Sequence, residues 1–312
     1  MKRLTGNKII LVKRKTPLEE LVSRFNTVSQ AKFYVEHLGA DFSDYLNENS
    51  KYQKAVAEST AILNEIGRVH IIDRSFLPNF IFGDNDIVVA VGQDGLVANT
   101  LKYLSTQKLA GVNPEPERWD GVLLPFKVKD LRYIIPEAMA GTRPVKEITM
   151  AKAVLNDAQA LYAVNDLFIG HKSHVSARYR ISIGKSEEFH SSSGIIVSTG
   201  LGSTGWLKSI IAGANAITRS AVDKNAKTNT DLKFNWNADY LYFSVREPFP
   251  SKTSQANTVF GKVTRKEPLK ILSQMAENGT IFSDGVESDF LSFNSGVEAT
   301  IAVAEKRGHL LV

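Results

Sequence analysis

The stretch IVVAVGQDGLVANTL places Asp94 between Gly92 and Gly95 where a branched apolar run stops and a helical pattern starts. A carboxylate on a glycine turn can approach a ligand closely, because Gly95 beside it carries no Cβ atom. Three chemistries suit that position: a plain turn, a phosphate cradle made of backbone amides, or a catalytic carboxylate. A second cluster, STGLGSTGWLKS, again follows an apolar run and opens a helix. Gly200, Gly202 and Gly205 spell G-x-G-x-x-G, but a dinucleotide fingerprint also needs an acid ending a second strand about 20 residues on. Asp223 has that spacing only within polar sequence. The P-loop alternative fails as well, since Trp206 stands where the lysine belongs and Lys208 comes two residues late. What remains is a strand-to-helix turn whose amides and hydroxyls (Ser203, Thr204) suit an anion.

Two further places carry polar groups where apolar ones are expected. AVNDLFIG puts Asn165 and Asp166 side by side in an apolar run. Burying both is costly unless partners satisfy them, so the pair is either an internal network or a contact for ribose hydroxyls or an amide. GVNPEPERWDG ends a strand at Asn113 and is followed by two prolines, at the carboxyl end of a strand where α/β sheets bind ligands. His171 and His174 lack a third ligand, which leaves little for a metal. No Ser/His/Asp nucleophile set is visible.

Up to about residue 140 the chain alternates strands and helices. KIILVK is a strand, Pro17 opens the helix LEELVSRF, and a helix over 47–66 leads to the strand RVHIID. NDIVVAVG and KLAGVN are strands on either side of the helix LVANTLKYLS. This pattern predicts a parallel sheet with helices on its faces. Gly141 and Pro144 break the pattern. Beyond them VKEITMAKAVL, LYAVNDLFIG, ARYRISIG, SGIIVST, YLYFSVRE, PLKILSQ, GTIFSDG and ATIAVAE read as strands, interrupted by one helix over 204–216. The polar segment 223–239 reads as a mobile surface loop. The expected organisation is an α/β nucleotide-binding domain over 1–142 with a Rossmann-like parallel sheet, then a β-rich domain over 143–290. Residues 291–312 form a C-terminal segment that could return to the first domain.

Composition narrows the class. Of 312 residues, 43% are hydrophobic and 23% charged, as in soluble globular proteins. The absence of cysteine removes disulfides and thiolate metal sites. The net charge of +5 is dispersed, with VKRK the densest basic cluster, so no nucleic-acid partner is expected. No segment reaches the ~20 apolar residues of a membrane span, and the run Ile9–Val12 is too short for a secretory signal. A cytoplasmic protein without membrane partners is the expectation.

Taken in order, GQDGL, GVN (111–113), ND (165–166), GSTGW (202–206) and DG (284–285) resemble the motifs of the ATP-dependent NAD kinases. That family lies in the wider superfamily of diacylglycerol and sphingosine kinases. GVNPEPERWDG, NDLFIGHKSHVSARYRIS and FSVREP are most similar to its mitochondrial-type branch. The resemblance covers about residues 85–300. It implies an α/β domain plus an all-β C-terminal domain with the active site in the cleft between them. It also implies transfer of the γ-phosphoryl of ATP to the 2′-hydroxyl of the adenosine ribose of NAD. Asp94 would then be the base or would orient that hydroxyl, with the amides of Gly92 and Gly95 around phosphate. Asn113, Asn165, Asp166 and Asp284 carry over as binding residues. So do Gly202, Ser203, Thr204, Gly205, Trp206 and Ser209 on the other wall. Mg²⁺ would arrive with the nucleotide, and family members are usually dimers or larger, so a homo-oligomer (dimer or tetramer) is expected. Gln93 and Leu96 depart from the family's glycine and threonine, and Ser193 stands where many members carry an aspartate. Two other readings stay open: a kinase of the superfamily acting on a nucleoside, sugar or lipid hydroxyl, and a non-catalytic dinucleotide-binding protein. The failed fingerprint disfavours an oxidoreductase.

Overall fold

In the computed structural model, residues 8–221 and 232–312 are described. Most of the predicted polar loop, and Asp223 with it, lies outside them. The described chain divides into two compact units, one running to Lys146 and including His309–Val312, the other spanning Glu147–Gly308.

The first unit contains β1 (Lys8–Lys13), α1 (Pro17–Phe25), α2 (Val28–His37), α3 (Ser43–Ile66), β2 (Arg68–Asp73), β3 (Ile87–Val91), α4 (Asp94–Leu101), β4 (Lys108–Val112) and α5 (Leu131–Ala140). Its strands are parallel in the order β2-β1-β3-β4, and His309 and Leu310 pair in parallel with Lys108 and Leu109 at the far side. All five residues of β3 are buried, as expected of a strand covered on both faces. Ile9, Leu11, Val89, Val91, Ala110 and Val112 pack against Tyr52, Val56, Leu63 and Ile66 of α3 and Ile134, Ile135 and Ala138 of α5. Burial of the Val, Leu and Ile side chains among them stabilises by roughly 1.5–3 kcal/mol each before entropy is subtracted. At the start of α1, Thr16 and Glu19 exchange hydrogen bonds at 3.2 and 2.8 Å, and Pro17 takes the first helical position. Sequence reasoning did not anticipate α2. It buries only Ala31 and Val35, too weak a stripe to read as a helical period.

The second unit holds β5 (Val145–Leu155), β6 (Ala160–Ala163), β7 (Asp166–His171), β8 (Ala177–Ile183), β9 (Ser186–Ser192), β10 (Ile195–Ser198), α6 (Trp206–Ala221), β11 (Leu241–Val245), β12 (Phe260–Val263), β13 (Leu269–Ser273), β14 (Gly279–Ser283), β15 (Val286–Ser292) and most of β16 (Glu298–Leu311). One antiparallel sheet runs β12-β11-β10-β7-β14-β15. Facing it, β16, β13, β8 and β9 are neighbours in that order, with β5 and β6 joined through β16. Alternate residues point inward: Leu167, Ile169, Ile195, Val197 and Ile281 meet Tyr179, Ile181, Ile271 and Ile301 in one core. Expected strands other than LYAVNDLFIG fall on observed ones, while β9, β12 and β15 are additional. The exception is a correction. The chain turns at Val164–Asn165, so this stretch is two strands, β6 and β7, and the cause lies 120 residues away at Asp284.

Candidate functional site

In the first unit the Gly92–Asp94 turn sits at the carboxyl end of β3, beside the end of β4. The Gly92 amide donates to the Val112 carbonyl at 3.1 Å, so it is held by the sheet end. Gly95 is exposed in the first turn of α4, where amides lack intrahelical acceptors. The Asp94 carboxylate accepts the amides of Val122 at 3.2 Å and Leu123 at 2.8 Å, one on each oxygen. That contact pins the loop after β4 and leaves each oxygen a further lone pair for a ligand. Asn113 is buried and works within the same loop. Its side chain donates to the Trp119 carbonyl at 2.8 Å and accepts the Glu115 amide at 3.0 Å. Leu96 is 2% exposed, and its Cδ2 lies 2.9 Å from where a Gly92 Cβ would stand. Core packing thus occupies the place of the family's threonine.

In the second unit three sequence motifs come together. Asp284 adopts a left-handed backbone (φ 54°), which Asp tolerates better than most residues. Its carboxylate accepts the amides of Val164 (3.1 Å to each oxygen), Asn165 (2.6 Å) and Asp166 (3.3 Å), and its own amide donates to the Asp166 carbonyl at 3.0 Å. These are the amides that a continuous strand would have spent on a ladder, so the staple makes the break between β6 and β7 affordable. The turn after β10 closes over the same point. Thr199 donates its amide to the Asn165 carbonyl at 2.9 Å and its hydroxyl to the Val164 carbonyl at 2.5 Å.

The glycines of this turn answer to packing. A Cβ on Gly200 would stand 2.0 Å from the Asn235 carbonyl oxygen, and one on Gly202 would stand 2.3 Å from that of Asn165. The G-x-G-x-x-G spelling therefore records close backbone approach. Gly202→Ala is expected to destabilise by more than about 2 kcal/mol in urea unfolding, because backbone must move. Gly205→Ala, whose nearest neighbour would be 3.4 Å away, should be tolerated; equal losses in the two variants would overturn this account. The Ser203 hydroxyl is spent on the Gly200 carbonyl at 2.7 Å, and that of Ser209, exposed, lies 3.4 Å from the Gly205 carbonyl. Thr204 is exposed, with its hydroxyl 3.4 Å from the Leu201 carbonyl.

Asp166 is half-buried as a residue, yet its Oδ1 is sealed from solvent and unpartnered, 2.7 Å from the Gly202 Cβ position. Burial pushes this carboxyl up to about 7. The Ser198 hydroxyl pulls it back, and the negative charge of Asp284 adds to the rise. The folded state keeps a proton that the unfolded chain releases near its ordinary value of 3.8. The associated stability is complete below about pH 4 and is lost as pH rises to about 7. Asp166→Asn, neutral throughout, should gain on the parent protein by a few kcal/mol across that window. Parallel melting curves against pH would refute it.

Beside this cluster, on the outer face of the β7–β10–β14 sheet, opens a cavity of about 440 Å³. Phe168 stacks between Trp206 (ring centroids 6.0 Å apart, 3° between planes) and Phe282 (4.8 Å, 28°). The Arg246 guanidinium lies 5.4 Å from the Trp206 ring centre. His171, His174, Lys172, Ser193 and Glu287 complete its polar rim. The aromatic floor with cations nearby suits a nucleobase or nicotinamide ring carrying phosphates. Sequence reasoning found Trp206 and Ser193 but missed Phe168, Phe282 and Arg246. The available signal was phase: both phenylalanines are apolar residues at positions that alternation aims away from the core. His171 is committed locally, its Nδ1 lying 2.9 Å from the Ser173 hydroxyl.

An α/β unit with a parallel sheet, joined to an antiparallel β sandwich that carries a nucleotide-sized cavity, defines the fold class: that of the NAD kinases. Two solved structures share it along nearly the whole chain. An NAD kinase from Archaeoglobus fulgidus in complex with ATP is 15% identical, with a TM-score of 0.58 over 98% of this chain and 93% of that one. Yeast NADH kinase complexed with NADH is 12% identical, with a TM-score of 0.58 over 99% of this chain and 84% of that one. No protein-family model matches the sequence, and no curated protein matches it. Among the described residues no helix is long and apolar enough to cross a membrane.

Proposed function

We propose that this protein is an NAD kinase, transferring the γ-phosphoryl of ATP to the 2′-hydroxyl of the adenosine ribose of NAD to give NADP. The observation that carries the reading is the Asp284 staple. It gathers the motifs at 165–166, 199–205 and 284–285 into one cluster beside the aromatic cavity, in a chain with the fold of kinases whose solved complexes hold ATP and NADH. The second unit would bind the dinucleotide through Asn165, Asp166, Thr204, Trp206 and Ser209. In the first unit, Asp94 would accept a hydrogen bond from the reacting hydroxyl through a lone pair that Val122 and Leu123 leave open. Gly95 supplies an amide for phosphate. Among the described residues no three His, Cys, Asp or Glu side chains cluster as a metal site. Mg²⁺ would enter on the phosphates of ATP, where it neutralises their charge.

The test is to incubate the protein with ATP, Mg²⁺ and NAD and to follow NADP with a coupled dehydrogenase, measuring NAD binding separately by calorimetry. Binding without turnover would favour a second reading, a dinucleotide-binding protein without catalysis. One observation supports it: Leu96 fills with hydrocarbon the position where the family carries a hydroxyl. Leu96→Thr distinguishes the two, because NADP formation gained by the variant from an inactive parent would show that a phosphate contact had been missing.

A further inference from the structure

In the first unit the order β2-β1-β3-β4 makes neighbours of β1 and β3, whose connections leave on opposite sides, β1 towards β2 and β3 towards β4. Open α/β sheets bind ligands where the carboxyl ends of such a strand pair part. The β1–β3 register ends at Val12 and Ala90, just short of Val91. Tyr52 of α3 fills that fork. Its hydroxyl donates to the Val91 carbonyl at 2.9 Å and accepts the Arg14 amide at 2.9 Å, so one oxygen stands in for the next ladder bond. The side chain is 2% exposed. The Arg14 guanidinium lies 4.9 Å from the ring centre and bonds Glu48, one turn earlier in α3, at 2.7 Å. Burial pushes the phenol up to about 12, with Arg14 pulling it back in part, so the proton given to Val91 stays in place at neutral pH.

We propose that Tyr52 is a positioning residue for Asp94, its hydroxyl fixing how far the glycine turn stands from the β1–β3 fork. The inference rests on the NAD kinase reading, in which Asp94 meets a ribose hydroxyl. Val91 leads directly into Gly92, whose amide donates to the Val112 carbonyl on β4 at 3.1 Å. The Gln93 carbonyl then accepts the amides of Leu96 at 2.8 Å and Val97 at 3.4 Å, which ties Asp94 to the start of α4. The turn is therefore anchored on its β4 side by Val112 and on its β1 side by Tyr52. Tyr52 acts through Val91 and the backbone, not on the reacting atoms. Such anchoring matters because a misplacement of about 1 Å can cost about 100-fold in rate. A phenylalanine at this position would fill nearly the same volume but leave the Arg14 amide and the Val91 carbonyl without their shared partner, so the turn would loosen while the core stays packed.

The experiment compares Tyr52→Phe with Ile62→Ala in the full chain. Ile62 lies on the same helix and packs into the core, so its truncation lowers stability without touching the hydroxyl. Steady-state NADP formation and hydrogen exchange at the amides of Gly92, Leu96 and Val97 are the two readouts. Tyr52→Phe should lower kcat about tenfold while KM for NAD moves by less than about twofold. Exchange at those three amides should rise about tenfold, with the middle of β3 protected as in the parent. Ile62→Ala should leave kcat and the exchange of the turn at parental values despite its lower melting temperature. An unchanged kcat or unchanged exchange in Tyr52→Phe, or an equal loss of kcat in Ile62→Ala, would each overturn the proposal. A parent protein that forms no NADP would refute the kinase reading alone. The exchange comparison then decides this one: a rise confined to the turn in Tyr52→Phe upholds the anchoring, and its absence overturns it.

Discussion

Replacing Asp94 by asparagine is expected to lower NADP formation by at least about 100-fold while NAD remains bound. General-base or hydroxyl-orienting carboxylates contribute on that scale. The structure adds a second effect. Both carboxylate oxygens of Asp94 accept backbone amides, from Leu123 at 2.8 Å and Val122 at 3.2 Å. An asparagine keeps one acceptor and turns an NH₂ group toward the other donor, which costs about 1–2 kcal/mol. A fall of a few degrees in melting temperature should therefore accompany the lost turnover. Calorimetry for NAD, the coupled assay and a thermal melt read the three quantities apart. Turnover within a few-fold of the parent protein would remove Asp94 from the chemistry and leave it only its loop contact.

Replacing Asp284 by alanine should have the largest effect on the second unit, about 3 kcal/mol or more in urea unfolding together with at least a tenfold loss of NAD affinity. Charge-assisted hydrogen bonds contribute about 1.5–3 kcal/mol, and amides left without acceptors add their own penalty. Here three consecutive amides, at residues 164 to 166, depend on one carboxylate. The left-handed backbone at φ 54° adds strain for alanine. Asp284→Gly relieves that strain but leaves the amides unpaired, so it should still lose most of the stability. Asp284→Asn keeps one oxygen and should fall between. A glycine variant as stable as the parent would mean that only the backbone angle mattered. On the proposed function Asp284 would act on the ligand indirectly, by holding the backbone of Asn165 and Asp166. A tyrosine fluorescence or hydrogen-exchange comparison centred on residues 160–166 should show loosening even in the unliganded protein.

Local patterning carried much of the fold. The parallel strands of the first unit show as continuous branched runs, because both faces are covered. The strands of the sandwich show as alternation, because one face is core. Both signals come from side chains within a few residues of one another, which sequence displays directly. The helix α2, with a narrow buried stripe, and the edge strands β9, β12 and β15 lacked that signal.

The chemistry-bearing residue types were equally plain in the sequence: an acid on a glycine turn, an Asn-Asp pair in apolar surroundings, and a glycine-rich turn before a helix. Their contacts were not. That Asp284 serves the amides of residues 164–166, that Gly202 is glycine because the Asn165 carbonyl lies against it, and that Phe168 stacks between Trp206 and Phe282 are meetings of segments about 35 to 120 residues apart. The sequence alone determined the strand and helix periods and the inventory of polar groups, since both depend on near neighbours. The tertiary structure decided which of those groups are free for a ligand and which are spent on backbone, because hydrogen-bond partners are assigned only when distant strands close on one another.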